Sequence, residues 1–375
     1  MTQPLTIEPD VGFIRRVAAA GGGSAKKCFQ CAACSGICPI SPDAKPFPRK
    51  EMLWTVWGLK DRLLKDPDVW LCHQCNDCSV NCPRGGSPGE VLNAVRSLAF
   101  AHYAFPRFMG AALSRAVYLP LLFAFPAALF LLILGATGHL HIPEGRIVFS
   151  HFFPETYVDA VFLAVTALML AFFAVGVSRF WRSIAETAPP GHRGSILPAV
   201  INAAIEILTH SRFKECGSGR PRFTAHLAVF YGFVMLFATT SFVFIGLYVF
   251  HVETPLSLAN PVKILGNAGA AVLLAGILLT LANRLAAAAR VGRGNYHDWL
   301  FIVVVLLVTL TGILSEITRL ANLPAAAYPM YFAHLVFIFF LIAYLPYSKF
   351  AHAVYRTVAI VHSKYTGRYG ETAGT

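Results

Sequence analysis

Six apolar stretches decide what this chain can become. They lie at about 116–138, 157–178, 225–250, 263–283, 299–319 and 329–350. Each is near the ~20 residues that a helix needs to cross the hydrocarbon of a bilayer. Runs this long cannot be single strands, so all six are read as helices. Pro120 and Pro126 interrupt the first and predict a kink there. Charged residues are only 13% of the 375, against roughly 25% in a soluble domain. That is too few to cover a water-exposed surface of this size. The expected fold class is all-α.

The first 105 residues are different. They hold 12 Lys+Arg and 9 Asp+Glu, a soluble composition, so the expected division is a soluble domain over 1–105 and a six-helix membrane domain over 106–375. The basic residues between spans set the orientation. One set of loops carries 16 Lys+Arg, among them Arg107, Arg115, Arg222, Arg284, Lys349 and Arg356. The alternate loops carry three: Arg146, Lys263 and Arg319. The positive-inside bias then puts both termini in the cytoplasm. The net charge of +12 thus follows membrane topology. A nucleic-acid binder would instead need its cations on a soluble face. Between the second and third spans, Ile196–Leu208 is apolar but too short to cross. It reads as an amphipathic helix on the membrane surface or a connecting helix packed under the bundle.

Eight of nine cysteines fall between Cys28 and Cys82, and the ninth, Cys216, reads as a plain thiol. Residues 1–30 lack the apolar core of a secretory signal. Dense thiols without an export signal indicate metal sites in a reducing compartment. The pattern Cys28-x2-Cys31-x2-Cys34-x3-Cys38-Pro39 returns as Cys72-x2-Cys75-x2-Cys78-x3-Cys82-Pro83. This is the bacterial ferredoxin run, twice. Three thiolates in seven residues wrap one iron–sulfur cubane, and the fourth cysteine completes the other. The expectation is one [4Fe–4S] cluster on Cys28, Cys31, Cys34 and Cys82, and a second on Cys72, Cys75, Cys78 and Cys38. Zinc modules use two separated pairs instead. The 33 residues between Cys38 and Cys72 suit helices, notably over Arg49–Leu64, so the domain reads as a helical ferredoxin. Trp54 and Trp57 are expected in its core. No set of acid, base and nucleophile stands out, as befits an electron carrier.

Histidine within a membrane helix is costly and marks a function, most simply haem ligation. His226 opens the third span, and His334 and His352 are both read on the sixth. Their separation of 18 residues is five helical turns, or roughly 27 Å, so both would project from one face. Antiparallel third and sixth helices would bring His226 level with His352, giving a b-haem two imidazoles on the cytoplasmic side. For an outer haem, His334 would pair with His139 at the end of the first span. His251, roughly 37 Å from His226, overshoots that depth and stands in reserve.

At this point a resemblance enters. CFQCAACSGICPIS and VWLCHQCNDCSVNCPRG resemble the C subunit of heterodisulfide reductases. THSRFKEC and AYLPYSKFAHAVYRTVA resemble cytochrome b subunits of the nitrate reductase gamma type. Their fusion resembles the membrane-embedded C subunit of quinone-interacting membrane-bound oxidoreductase complexes. The resemblance implies two [4Fe–4S] clusters, one or two b-type haems, menaquinone from the quinone pool, and two soluble flavin/iron–sulfur partner subunits. It further implies a link to adenylylsulfate reductase in sulfur metabolism and residence in a prokaryotic inner membrane. Gamma-type cytochromes carry a second histidine ten residues after the first on the third span, where this chain has Leu236. The leading expectation is a subunit passing electrons between menaquinone and cytoplasmic partners. Its rivals are a wire feeding a heterodisulfide-type reductase and a passive anchor for a ferredoxin. The spans hold few carboxylates, chiefly Asp159 and Glu316 near helix ends, so no relay for transport crosses the bilayer.

Overall fold

The computed structural model describes residues 7–43, 45–188, 194–212, 220–286 and 294–368. Cys216 lies outside the described residues. Every regular element within them is helical.

The cysteine-bearing domain is built from short helices: α1 (Val11–Val17), α2 (Ala33–Gly36), α3 (Arg49–Val56), α4 (Lys60–Leu64), α5 (Asp68–Leu71) and α6 (Asp77–Val80). Helix α7 (Pro88–Tyr103) runs beneath them as their floor. It starts with Pro at the first turn, where a missing N–H costs nothing. Asp10 caps α1 by accepting from the Phe13 N–H. The expected helical spacer over 49–64 is present as α3 and α4. Its tryptophans depart from expectation: Trp57 is 52% exposed and Trp54 only partly buried. Lys50 and Arg62 stand over the Trp54 ring at 5.2 and 6.0 Å. The buried tryptophan is Trp70, packed among Phe100, Phe180 and Tyr355.

After α8 (Arg107–Leu113) come α9 (Leu119–Ala136), a short α10 (Phe149–Phe152), α11 (Glu155–Ala185), α12 (Ile196–Thr209), α13 (Arg220–Tyr248), α14 (Pro261–Ala286), α15 (Tyr296–Leu320) and α16 (Pro324–Ala343). Helices α9, α11, α13, α14, α15 and α16 are long and apolar enough to cross a membrane. Their outer faces expose large apolar side chains, Leu132 at 70% and Phe237 at 75%. Such surface belongs in lipid, and the chain is a multi-pass membrane protein. Pro120 occupies the first turn of α9, and the helix continues through Pro126. Helices α13 and α14 meet closely: a Cβ at Gly276 would stand 2.6 Å from the Val229 nitrogen. Small residues let backbones approach where no hydrophobic effect drives helices together.

The sixth span differs from its expected extent. It ends at Ala343, a 3-10 turn follows over Leu345–Tyr347, and a separate helix α17 (Ala351–Tyr365) begins. His334 and His352 therefore sit on different helices, so helical rise no longer fixes their separation or a shared face. Helix α17 packs its Ala351, Tyr355 and Ala359 into the core that also contains Trp70, Phe100, Phe180 and Ile184. One apolar core thus runs from the ferredoxin domain into the bundle. Helix α12 buries Ala199 and Ala203 and exposes Ile196, Leu197, Val200 and Ile201. The same helix is packed on one side and apolar outward on the other.

Candidate redox centres and their junction with the membrane helices

The two cysteine runs fold alike. Gln30 and Ala32 in the first, Gln74 and Asn76 in the second, have φ between +54 and +68°. These left-handed residues curl each run so that successive thiols face inward, and within each run a single helical turn, α2 or α6, carries the third cysteine, Cys34 or Cys78. Cys28, Cys31, Cys34 and Cys82 line one small cavity. Cys38, Cys72, Cys75 and Cys78 line another. Each run therefore sends its fourth cysteine to the cavity of the other. The first cavity has no His, Asp or Glu among its lining residues; the second has His73 and Asp77. Four soft sulfur donors suit iron–sulfur clusters. Donors to sulfur are already placed: the Gln74 N–H on Cys72 Sγ at 3.3 Å, the Gly86 N–H on Cys82 Sγ and Gln30 Nε2 on Cys28 Sγ, both at 3.2 Å.

Burial first, then the neighbouring Cys72, pushes the Cys38 thiol up to about 12. Burial likewise raises Cys34, Cys72 and Cys78. Thiols so crowded resist ionisation unless a metal balances the charge.

Three arginines, on α7, α13 and α17, fasten the backbone beside the second cavity, and of these helices α13 is a membrane span. Arg96 on α7, fully buried, donates to the Val69 carbonyl at 2.8 and 3.0 Å and to the Cys72 carbonyl at 3.0 Å. Arg356 on α17 donates to the carbonyls of Trp70 and Cys72, both at 3.1 Å, and reaches the His73 ring. Arg222 on α13 donates to the Gln74 carbonyl at 2.7 Å. These cations also place positive charge beside the cavity, which raises the reduction potential of a cluster held there. Sequence reasoning does not single out any of the three as part of a centre; Arg222 and Arg356 enter it only as topology markers.

His352 lies at this junction. Its ring stacks on Trp70, with centroids 6.4 Å apart and 20° between planes. Burial first, then Arg96, Arg356 and Lys349, hold its imidazole neutral, well below the usual histidine range. His226 is close enough to oppose protonation of both His352 and His73. The ring of His226 also meets His210 edge-on at 5.1 Å. The other two expected ligands have separate surroundings. His334 shares a hydrogen bond of 3.1 Å with Thr311 and lies against Gly312, where a Cβ would be 2.8 Å from its ring. His139 bonds Thr137 at 3.1 Å and meets the Tyr157 ring at 6.4 Å.

Two buried ionic groups brace the junction. Asp298, at the start of α15, accepts from Lys349 at 2.7 Å and from Asn93 of α7 at 2.9 Å. Asn295 beside it donates to Ser97 at 2.6 Å. On the far side, Glu51, Asp66 and Asp68 converge closely enough to hold a metal ion. Lys50 already stands among all three, and Arg368 pairs with Asp68. Those two cations make the cluster an ion-pair clasp between the ferredoxin domain and the chain beyond α17.

Comparison with known proteins agrees with this division. Residues 24–86 match the 4Fe-4S dicluster domain, and residues 109–373 match the family described as citrate utilization protein B. Citrate utilization protein B of Escherichia coli is 29% identical over 364 residues, 92% of each chain. A protein of Archaeoglobus profundus described as similar to the C subunit of heterodisulfide reductase is 42% identical over 78 residues, 20% of this chain and 42% of that one. The E subunit of the dihydromethanophenazine:CoB–CoM heterodisulfide reductase of Methanosarcina thermophila is 30% identical over 202 residues, 49% of this chain and 73% of that one. No solved structure matches. The expected likeness of the ferredoxin half to the heterodisulfide reductase C subunit is present, joined to a membrane half similar to the E subunit. The chain belongs to the citrate utilization protein B family, with an N-terminal [4Fe–4S] dicluster domain joined to a membrane bundle.

Proposed function

We propose that this chain passes electrons between a quinone pool in the membrane and soluble flavin or iron–sulfur partner subunits. The clusters would be held by Cys28, Cys31, Cys34 and Cys82 and by Cys38, Cys72, Cys75 and Cys78. A b-type haem would take His226 and His352. The His352 Nδ1 is buried without a hydrogen-bond partner among the described residues, which fits an imidazole offered to a metal. Bound at these sites, the groups supply one-electron redox chemistry. The protein's own share is to fix the 69–74 loop by Arg96, Arg222 and Arg356, to exclude water with the Trp70 core, and to keep His352 neutral. The observation that carries the reading is the stacking of Trp70, two residues before Cys72, on His352. An outer haem on His334 with His139, menaquinone as the quinone, and cytoplasmic termini complete the proposal, the last resting on the 16-to-3 loop asymmetry.

The match across 92% of the Escherichia coli relative supports partners in citrate utilization over an adenylylsulfate reductase link. The similarity to the C and E subunits of heterodisulfide reductases supports, as a second reading, a wire feeding a reductase of that type. A reduced-minus-oxidised spectrum with iron and haem counts tests the cofactor set. In the His352→Ala protein we expect loss of one low-spin haem and slowed reduction of the clusters by a menaquinol analogue. Unchanged haem content and rate in that variant would sink the pairing.

A further inference from the structure

The cavity lined by Cys28, Cys31, Cys34 and Cys82 opens on a surface unlike the rest of the ferredoxin domain. Cys31 is exposed. Beside it Phe29 is 67% exposed, and the Arg84 guanidinium lies over its ring at 4.0 Å. Arg49 also lines the cavity, and Lys26 and Lys27 precede Cys28 in exposed positions. No carboxylate lines it. Lys26, Lys27, Arg49 and Arg84 form no ion pair among the described residues. Other cations of the domain are also unpaired, and what sets this face apart is four cations gathered beside an exposed aromatic ring with no carboxylate in the cavity lining. The second cavity offers no such face: Asp77 lines it, and Arg222 and Arg356 tie its loop to α13 and α17.

A solvated lysine or two would need no explanation. A large aromatic ring held open to water under an arginine, directly over a redox cavity, is what protein interfaces enrich. We propose that this face docks an acidic redox protein, which exchanges single electrons with the group held by Cys28, Cys31, Cys34 and Cys82. The proposal rests on that cavity holding a cluster. Charge complementarity selects the occupant: four unpaired cations repel a second copy of the same face and steer an anionic partner. One electron leaves the partner's cofactor and enters the cluster; no bond forms or breaks.

The test uses the full chain, with iron and sulfide restored, in phosphatidylcholine nanodiscs. Reduced flavodoxin, an acidic protein, serves as the probe, and cluster bleaching is followed by stopped flow. For the unaltered chain the second-order rate constant should fall as salt rises. The Lys27→Glu/Arg84→Glu protein should be slower by about tenfold or more at low salt and should lose most of that salt dependence. Lys26→Glu/Lys27→Glu, which changes no cavity-lining residue, should shift the rate in the same direction if the first variant fails to load iron. Equal rates and salt slopes in iron-replete variants would overturn the docking surface alone. An altered affinity for anionic vesicles with an unchanged flavodoxin rate would also overturn it, in favour of a lipid surface. If the unaltered chain holds less iron than two four-iron clusters require, the cluster reading fails first and the docking surface falls with it.

Discussion

Cys38 follows Cys34 by four residues, yet the two thiols serve different cavities. Replacing Cys38 with serine removes a sulfur from the cavity of Cys72, Cys75 and Cys78. EPR should then show a perturbed signal for that cluster and an intact one for the other. Loss of the Cys28–Cys34 signal alone would refute the crossed arrangement. Arg96 tests a different kind of dependence. Its guanidinium satisfies the Val69 and Cys72 carbonyls inside the core. Arg96→Met strands the Val69 carbonyl, while Cys72 keeps its bond from Arg356, and should cost about 1–3 kcal/mol, read as a lower denaturation midpoint in detergent. The same change removes a positive charge beside the second cavity, so a redox titration should give its cluster a lower potential. A potential unchanged from the unaltered chain would make Arg96 purely structural.

Among the helices, α13 and α14 approach closely at glycines of both, Gly232 on one and Gly269 and Gly276 on the other. Gly276→Val would drive a side chain into the backbone of α13 at Ala228 and Val229. Overpacking of this kind should destabilise by about 1–3 kcal/mol, seen as a lower melting temperature in detergent. Six spans are legible in hydropathy because lipid demands about 20 apolar residues whatever the tertiary fold. The cysteine runs are legible because their spacing sets the geometry. The end of the sixth span is not. Its sequence stays apolar past Ala343, and proline gives no rule: Pro126 and Pro329 sit inside continuing helices, whereas Pro346 opens the 3-10 turn. What turns the chain there is tertiary. Lys349 must reach Asp298 and Asn93, and that pairing lies far off in sequence. Trp70 escapes notice for a similar reason, since its packing partners come from α7, α11 and α17.

Across the whole molecule the two cavities are not equivalent. The loop 69–74 is held by arginines of α7, α13 and α17, and Trp70 carries it onto His352. The other cavity opens on the exposed Cys31 and Phe29. Because electron transfer slows steeply with distance, a centre at Cys72, Cys75 and Cys78 would be the inner relay and the other the outer one. Electrons from the membrane side would then have to pass them in that order. Rapid-freeze EPR after mixing with a menaquinol analogue should show the inner cluster reduced before the outer. In Cys75→Ser the outer cluster should remain oxidised over the same interval, although its own four cysteines are untouched. In Cys31→Ser the inner cluster should still be reduced at the rate of the unaltered chain. The asymmetry between these variants carries the argument: a general loss of folding would slow both clusters in both proteins. An outer cluster that is reduced at full rate in Cys75→Ser would mean that electrons reach it without the inner site, and the serial order would be wrong.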